Sequence, residues 1–372
     1  MAKLVCIAVI GSFMMSVLLT WIVRRWALRT GFVDRPGGHK SHGTPIALGG
    51  GIAIFISATL PLIAGSLIAR WIDPANLPTW VPEFIQPHLQ GMGSKLVTLL
   101  SIFAGALVLH VLGLIDDRKP LGPGIKLVIQ TLVALAIVGL CKIRAIEAMG
   151  PIISITATVF WIVFIINAFN FLDNMDGLSA GVAAIAACIF ACSATQTGQI
   201  FVPIMAWVLV GTLLGFLMFN FAPASVFMGD AGSMVVGYLL AILTILTTFY
   251  DPEQGLAPVG VLVPLIVLAV PLYDVISVTI HRIRAGESPF RGDQRHFSHR
   301  LVRRGMSVRA AVCTIYLATG ATGISAIIVP RVDWSFATLL FAQCCFVVLM
   351  IAILEHAPAT ATPKTDKRES QE

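Results

Sequence analysis

Mostly apolar runs follow one another along almost the whole chain, at 4–23, 46–70, 96–115, 125–141, 152–170, 178–194, 201–221, 234–249, 258–280, 308–329 and 335–354. About 17–25 such residues are what a helix needs to cross the hydrocarbon core of a bilayer. Inside that core each backbone N–H and C=O has to be satisfied within the protein, so helices are the structure these runs can adopt. The chain is 57% hydrophobic and 12% charged, with a mean hydropathy of +0.89, too little polar surface for 372 residues to be covered in water. The sequence therefore predicts an all-α, polytopic integral membrane protein with about eleven transmembrane helices. It predicts one transmembrane catalytic domain over 1–356 and a disordered tail at 357–372, where small polar residues take over. The first run has no small-residue cleavage site and is followed by Arg24 and Arg25, so it reads as an uncleaved span. Seven cysteines lie in or at the ends of apolar runs without zinc or disulfide spacing, and read as packing residues.

Lysine and arginine orient the chain. With an odd number of spans, alternate loops put 19 of the 25 basic residues on one side, including Arg24, Arg25, Arg118, Lys119, Lys126 and the arginines from Arg282 to Arg309. The positive-inside rule makes that side cytoplasmic, with the N-terminus outside and the C-terminus inside. The expected location is the cytoplasmic (inner) membrane.

Short polar segments interrupt the apolar runs on that same side, and most of them carry aspartate. A carboxylate beside a spanning run is costly unless it holds a metal, a proton or a polar substrate. Asp116 and Asp117 are adjacent at a helix end, where two anions suit a bound magnesium ion; a solvated loop neutralised by Arg118 and Lys119 is the alternative. Asn170, Asp173, Asn174 and Asp176 fall within seven residues, with Asn170 and Asp173 on one helical face. That spacing suits a nucleotide and a hydrated metal together, or else a polar interhelical turn closed by Gly177. Asp230, between Gly229 and Gly232, stands where a helix begins, and reads either as a site residue beside an approaching anion or as a helix N-cap. The loop at 281–307 has seven arginines and three histidines, among them Arg291, Arg295, His296 and His299. These are phosphate-reading groups, or a topogenic loop meeting anionic lipid. The first cytoplasmic loop offers Lys40 and His42 before Gly49-Gly50-Gly51, as a pyrophosphate approach or as a close-packed helix start. Asp274 is secondary, expected to snorkel or to pair with Arg282.

DRPGGHKSHGTP, GLIDDRKP, NAFNFLDNMDGLSAG, FMGDAGSM and SPFRGDQRHFSHRL, in this order between hydrophobic spans, resemble the polyprenyl-phosphate N-acetylhexosamine-1-phosphate transferases, glycosyltransferase family 4. The similarity runs over 34–307 and is nearer to the bacterial undecaprenyl-phosphate GlcNAc-1-phosphate branch than to the phospho-MurNAc-pentapeptide translocases, whose last loop has three consecutive histidines. The resemblance implies a magnesium-dependent phosphotransferase, manganese being a substitute. It moves a sugar-1-phosphate from a UDP-N-acetylhexosamine to undecaprenyl phosphate and releases UMP, which starts a cell-envelope glycan. It implies catalytic roles for Asp116, Asp117, Asp173, Asp176, His296 and His299, and substrate contacts from Lys40, His42, Asn170, Asn174, Arg291 and Arg295. Asp117, Asp176 and Asp230 are the implied metal ligands. Ser298 stands where the family often has another histidine. Membrane lipid is an expected partner, a homodimer is compatible with the family, and nucleic acid is not expected. An ion-coupled transporter is the competing class, and it would place its carboxylates near the bilayer midplane rather than at helix ends.

Overall fold

The structure, a computed structural model, describes residues 1–35, 45–73, 76–79, 81–288 and 296–356. The expected tail at 357–372 lies outside them. The described residues are overwhelmingly helical. Helix α1 spans Ala2–Thr30, α2 Gly50–Trp71, the short α3 Leu89–Ser94, α4 Leu96–Arg118 and α5 Pro123–Cys141. Next come α6 at Pro151–Leu172, α7 at Leu178–Gln196, α8 at Phe201–Asn220 and α9 at Asp230–Leu246. The chain continues through α10 at Val263–Val267, α11 at Ala269–Arg284, α12 at Phe297–Arg303, α13 at Val308–Ile328 and α14 at Trp334–His356. Nine helices among the described residues are long and apolar enough to cross a membrane.

Three features depart from the uninterrupted runs in the sequence. The run at 258–280 is broken into a short helical turn with α10, then α11, the two parts inclined at 64°. Proline marks the break, since it lacks an N–H and is best tolerated in a helix's first turn. Pro264 and Pro271 each occupy that position, in α10 and α11. The run at 46–70 opens as a strand: β1 (Val33–Asp34) pairs antiparallel with β2 (Ile46–Ala47), Val33 opposite Ala47. Gly49, at φ +99°, then turns the chain into α2, a left-handed conformation that favours glycine. The run at 234–249 starts earlier, at Asp230, so the aspartate is helical.

Helices α7, α8 and α9 form the centre. In the apolar window of α7, 78% of residues are buried, against 17% for α1 and for α14, which present most of their surface outward. Alanine and glycine along α7 allow this close approach. A Cβ at Gly181 would lie 1.9 Å from the Tyr316 ring, so α13 seats its aromatic where α7 has no side chain. Contacts between the ends of α4, α5, α6, α8 and α9 and the start of α12 bring the polar motifs to one end of the bundle.

Candidate active site

The first turn of α9 organises the acidic centre. A helix N-terminus has N–H groups with no partner inside the helix. Here they are met by an acid from another span. Asp117 Oδ1 accepts from the Asp230 N–H at 2.8 Å and Oδ2 from the Ala231 N–H at 3.3 Å. The position before the helix is Gly229, not Asp230, so Asp230 does not cap its own helix. Gly229 adopts φ +67°, and a Cβ there would approach Asp117 Oδ2 to 2.5 Å. A Cβ at Gly113 would meet the Ala231 backbone at 2.3 Å. The two glycines are thus what lets α4 lay Asp117 across the start of α9.

Asp116, next along α4, faces elsewhere because neighbouring helical residues are rotated by about 100°. Its Oδ1 accepts from the Leu121 N–H at 2.7 Å and its Oδ2 from Lys126 Nζ at 3.1 Å. The same ammonium donates to Asp230 Oδ2 at 2.9 Å. Lys126, in the first turn of α5, therefore ties two motifs far apart in sequence. In the sequence it counted as an orienting charge; no local pattern marked it as a site residue.

The corner between α6 and α7 supplies the third group. Asn170 Nδ2 donates to Ser233 Oγ in α9 at 3.0 Å. Asp176 Oδ2 accepts from the Ala224 N–H at 2.8 Å. Gly177, at φ +76°, makes the turn; its N–H donates to Asn220 Oδ1 at 3.1 Å and its carbonyl accepts from the Tyr316 hydroxyl. Asp173 terminates α6, and among the described residues no group donates a hydrogen bond to its carboxylate. Loss of water there, then the charges of Asp230, Asp117 and Asp176, hold its carboxyl well above the usual carboxylate range. Asp117, Asp173, Asp176 and Asp230 thus form one electrostatic cluster. Among the described residues, no three acidic, histidine or cysteine side chains already stand in metal-ligating geometry. Magnesium commonly takes one or two carboxylates and completes its shell with water and substrate phosphate, so the donor chemistry still fits it.

The histidine side meets this centre through the 170–176 corner. Ser298, at the position of the missing histidine, donates from Oγ to Asn174 Oδ1 at 2.7 Å, and Asn174 Nδ2 donates to the Phe171 carbonyl at 2.7 Å. The serine therefore links two of the sequence motifs. His299 hydrogen-bonds with the Asn174 backbone, but burial, then the charges of His296 and Arg303, push its imidazole below the ordinary histidine range. His296 lies in a separate contact: its Nδ1 is 2.7 Å from Asp274 Oδ2, and Asp274 Oδ1 accepts from the Phe297 N–H at 3.2 Å. Asp274 thus has His296 as its partner, where the sequence suggested Arg282 or snorkelling. The C-terminal half of α12 is held by Arg300, whose Nε and Nη2 donate to Glu355 Oε2 at 3.0 and 2.7 Å. Lys40, His42, Arg291 and Arg295 lie outside the described residues.

The chain matches a family model described as Glycosyl transferase family 4 over residues 99–248, a stretch that holds every acid of this centre. It is 29% identical over 359 residues to a probable undecaprenyl-phosphate N-acetylglucosaminyl 1-phosphate transferase of Bacillus subtilis, covering 94% of this chain and 92% of that protein. A decaprenyl-phosphate N-acetylglucosaminephosphotransferase of Mycobacterium tuberculosis is 34% identical over 331 residues, 82% of this chain and 77% of its own. An undecaprenyl-phosphate alpha-N-acetylglucosaminyl 1-phosphate transferase of Yersinia pestis is 28% identical over 336 residues, 87% and 83% of the two chains. Similarity over most of the chain, and not through isolated motifs, makes this chain a member of glycosyltransferase family 4, the polyprenyl-phosphate sugar-1-phosphate transferases.

Proposed function

We propose that the protein transfers N-acetylglucosamine-1-phosphate from UDP-N-acetylglucosamine to undecaprenyl phosphate, releasing UMP and leaving the sugar on a lipid pyrophosphate that initiates a cell-envelope glycan. An oxygen of the lipid phosphate attacks the sugar-bearing phosphorus of the donor; that P–O bond forms as the bond to UMP breaks, and UMP leaves with the electron pair. Such a transfer asks mainly for alignment and for neutralisation of phosphate charge. The observation that carries the reading is the convergence of Asp117, Asp173, Asp176 and Asp230 beside Lys126, with no donor to Asp173 among the described residues.

In this reading Asp117, Asp176 and Asp230 would hold magnesium, with Asp173 beside them, its carboxylate meeting no hydrogen-bond donor among the described residues. Bound there, the metal would neutralise pyrophosphate charge. Lys126 keeps Asp116 and Asp230 in place and adds positive charge. Both Asp116 oxygens accept hydrogen bonds, which favours a positioning role for that residue over proton abstraction. Asn170 and Asn174 fix the corner against α9 and α12. Lys40, His42, Arg291 and Arg295 supply polar and cationic groups for the donor, and His299, held neutral with its N–H given to the Asn174 carbonyl, offers its other ring nitrogen as an acceptor for a hydroxyl or N–H of the UDP-sugar. Incubating the purified protein with a panel of UDP-sugars, undecaprenyl phosphate and magnesium, with mass analysis of the lipid product, tests the reading; the expected product is lipid-pyrophosphate-GlcNAc with one UMP released, and no product with any UDP-sugar overturns it.

The nine long helices, the bent α10–α11 pair and the shorter α9 together would give eleven crossings, with the site on the cytoplasmic face and the N-terminus outside. The 19 basic residues on the site's side support that orientation. With native cysteines removed, Trp80→Cys should react in intact cells with a reagent that cannot cross the membrane, and Arg295→Cys should be spared. The opposite pattern would reverse the topology.

A further inference from the structure

Asp274 and His296 form a buried pair whose part in the reaction is not explained by the acidic centre. Asp274 is 0% exposed in α11, and His296, just before α12, is 4% exposed. An ionised carboxylate has acceptors and no donor. With Asp274 Oδ1 taking the Phe297 N–H and Oδ2 lying 2.7 Å from His296 Nδ1, the proton belongs on Nδ1. The other ring nitrogen, Nε2, is then left for a different partner. The ring stands edge-on to Phe171, centroids 6.1 Å apart, so it borders the 170–176 corner, and its charge is felt by His299.

Holding α12 in place does not by itself call for this pair. Arg300 with Glu355 fixes the other end of that helix, and Ser298 with Asn174 fixes its face toward the corner. Burying a carboxylate costs several kcal/mol before its partners compensate, and an apolar contact would join α11 to α12 without that cost. What the pair adds is control over the imidazole: its rotation, its tautomer and, when it is protonated, a counter-charge on the side away from Nε2.

We propose that Asp274 is a positioning residue for sugar-phosphate transfer, orienting the His296 ring with Nδ1–H on its carboxylate so that, as the imidazolium, the ring presents its Nε2–H to the phosphates of the UDP-sugar. This rests on the transferase reading and assigns a role through His296 to a carboxylate that itself touches no substrate.

The test uses the full chain in nanodiscs. Asp274→Asn should lower kcat/KM for the UDP-sugar roughly 10- to 100-fold, the usual cost of losing a carboxylate behind a functional histidine, with KM for undecaprenyl phosphate unchanged. Asp274→Glu should restore part of the loss. In a His296→Gln background, Asp274→Asn should cost nothing further, because its effect passes through the ring. Glu355→Gln loosens the far end of α12 and serves as the structural control: its loss should add to that of His296→Gln. Nitrogen NMR of histidine-labelled protein, assigned by the signal missing in His296→Gln, should show a protonated Nδ1 at His296. Additive losses for Asp274 and His296, or an unprotonated Nδ1 in the wild type, would overturn the proposal. Should Asp274→Asn fail to fold, the wild-type spectrum and Asp274→Glu decide it, partial retention of donor kcat/KM supporting the role and complete loss in a folded protein opposing it. A wild-type protein that releases no UMP sinks the transferase reading instead, while the spectrum still reports on the Asp274–His296 contact.

Discussion

Two groups of buried and half-buried acids sit at the same end of the molecule and are treated in opposite ways. At the α11–α12–α14 junction each carboxylate is matched: Asp274 by His296 and the Phe297 N–H, Glu355 by Arg300 and the Tyr273 hydroxyl. At the α4–α6–α9 centre, carboxylates outnumber the cations that reach them among the described residues. Lys126 serves both Asp116 and Asp230, Asp117 leans on backbone N–H groups, and Asp173 has no donor among the described residues. A fully satisfied polar network rigidifies a fold, whereas a partly satisfied one costs stability and is retained where something else completes it. The first group therefore reads as the support that fixes the histidine loop and orients His296, and the second as a place made for cation and phosphate.

That contrast breaks most sharply at Asp117. Asp117→Asn should leave α9 capped, since the amide oxygen still accepts one N–H, but remove a negative charge from the cluster. Turnover should fall by about 10²–10³-fold or more, comparable with the loss of one strong electrostatic group in other active sites. Melting temperature should move little, a helix cap being worth roughly 1 kcal/mol. UMP release and thermal unfolding in detergent measure the two. Near-normal turnover at limiting magnesium would remove Asp117 from the reactive centre.

Lys126→Met comes next. It leaves Asp116 and Asp230 without their shared cation, so we expect turnover to drop about 10- to 100-fold, as when an oriented partner behind functional carboxylates is lost. Raising magnesium should recover part of this, because the added cation offsets the missing one. No recovery across a magnesium titration would mean that Lys126 acts on the substrate and not on the carboxylates.

These residues also mark what the sequence could convey. The helices were readable because bilayer length and hydropathy leave few alternatives: nine of the eleven apolar runs became helices long and apolar enough to cross a membrane, and the run at 234–249 became the shorter α9. The exception was the proline-broken run at 258–280, where hydropathy continues through a change of direction. Asp117, Asp173 and Asp230 were readable as candidates because acids at the ends of apolar runs are costly. Lys126 and Asp274 were not, since a lysine at a helix start and an acid near a helix end are what topology alone produces. Their meaning comes from contacts across 104 and 22 residues, which no local spacing encodes. Gly229 and Gly113 lie between these cases: flanking glycine was a visible signal for close approach, but what approaches is Asp117 and the start of α9.

On the histidine side, His299→Ala should act on the donor. Its imidazole is held below the ordinary histidine range, so it is neutral near pH 7; with its N–H on the Asn174 carbonyl it contributes an acceptor nitrogen, not a charge. Losing a neutral hydrogen bond to a hydroxyl or N–H of the substrate costs about 0.5–1.5 kcal/mol, roughly a two- to ten-fold fall in kcat/KM for the UDP-sugar. Kinetics for the lipid phosphate should be unaffected, and since the ring is already neutral its loss should not change how activity varies between pH 7 and 8. Varying each substrate separately checks this. Unchanged donor kinetics would make α12 a topogenic, lipid-facing element.

The smallest effect is on stability, and it concerns Asp173. Its carboxyl titrates above the ordinary range because of lost water and then the charges of Asp230, Asp117 and Asp176. A folded-state value above the unfolded one means that the folded protein binds this proton more tightly. The contribution is fully present below the unfolded carboxylate range and is lost as pH rises through the folded value. Without divalent cation, the wild type should therefore melt at a higher temperature at mildly acid pH than at pH 8, and Asp173→Asn should flatten that difference. Magnesium works the other way. A carboxylate must shed its proton to accept the ion, so the rise in melting temperature on adding magnesium should be larger at pH 8 than at pH 6, with protons released on binding. Calorimetry in two buffers of different ionisation enthalpy would count those protons. A magnesium effect equal at both pH values, with no proton release, would show that Asp173 is not part of the cation site and that its charge is balanced by something other than metal.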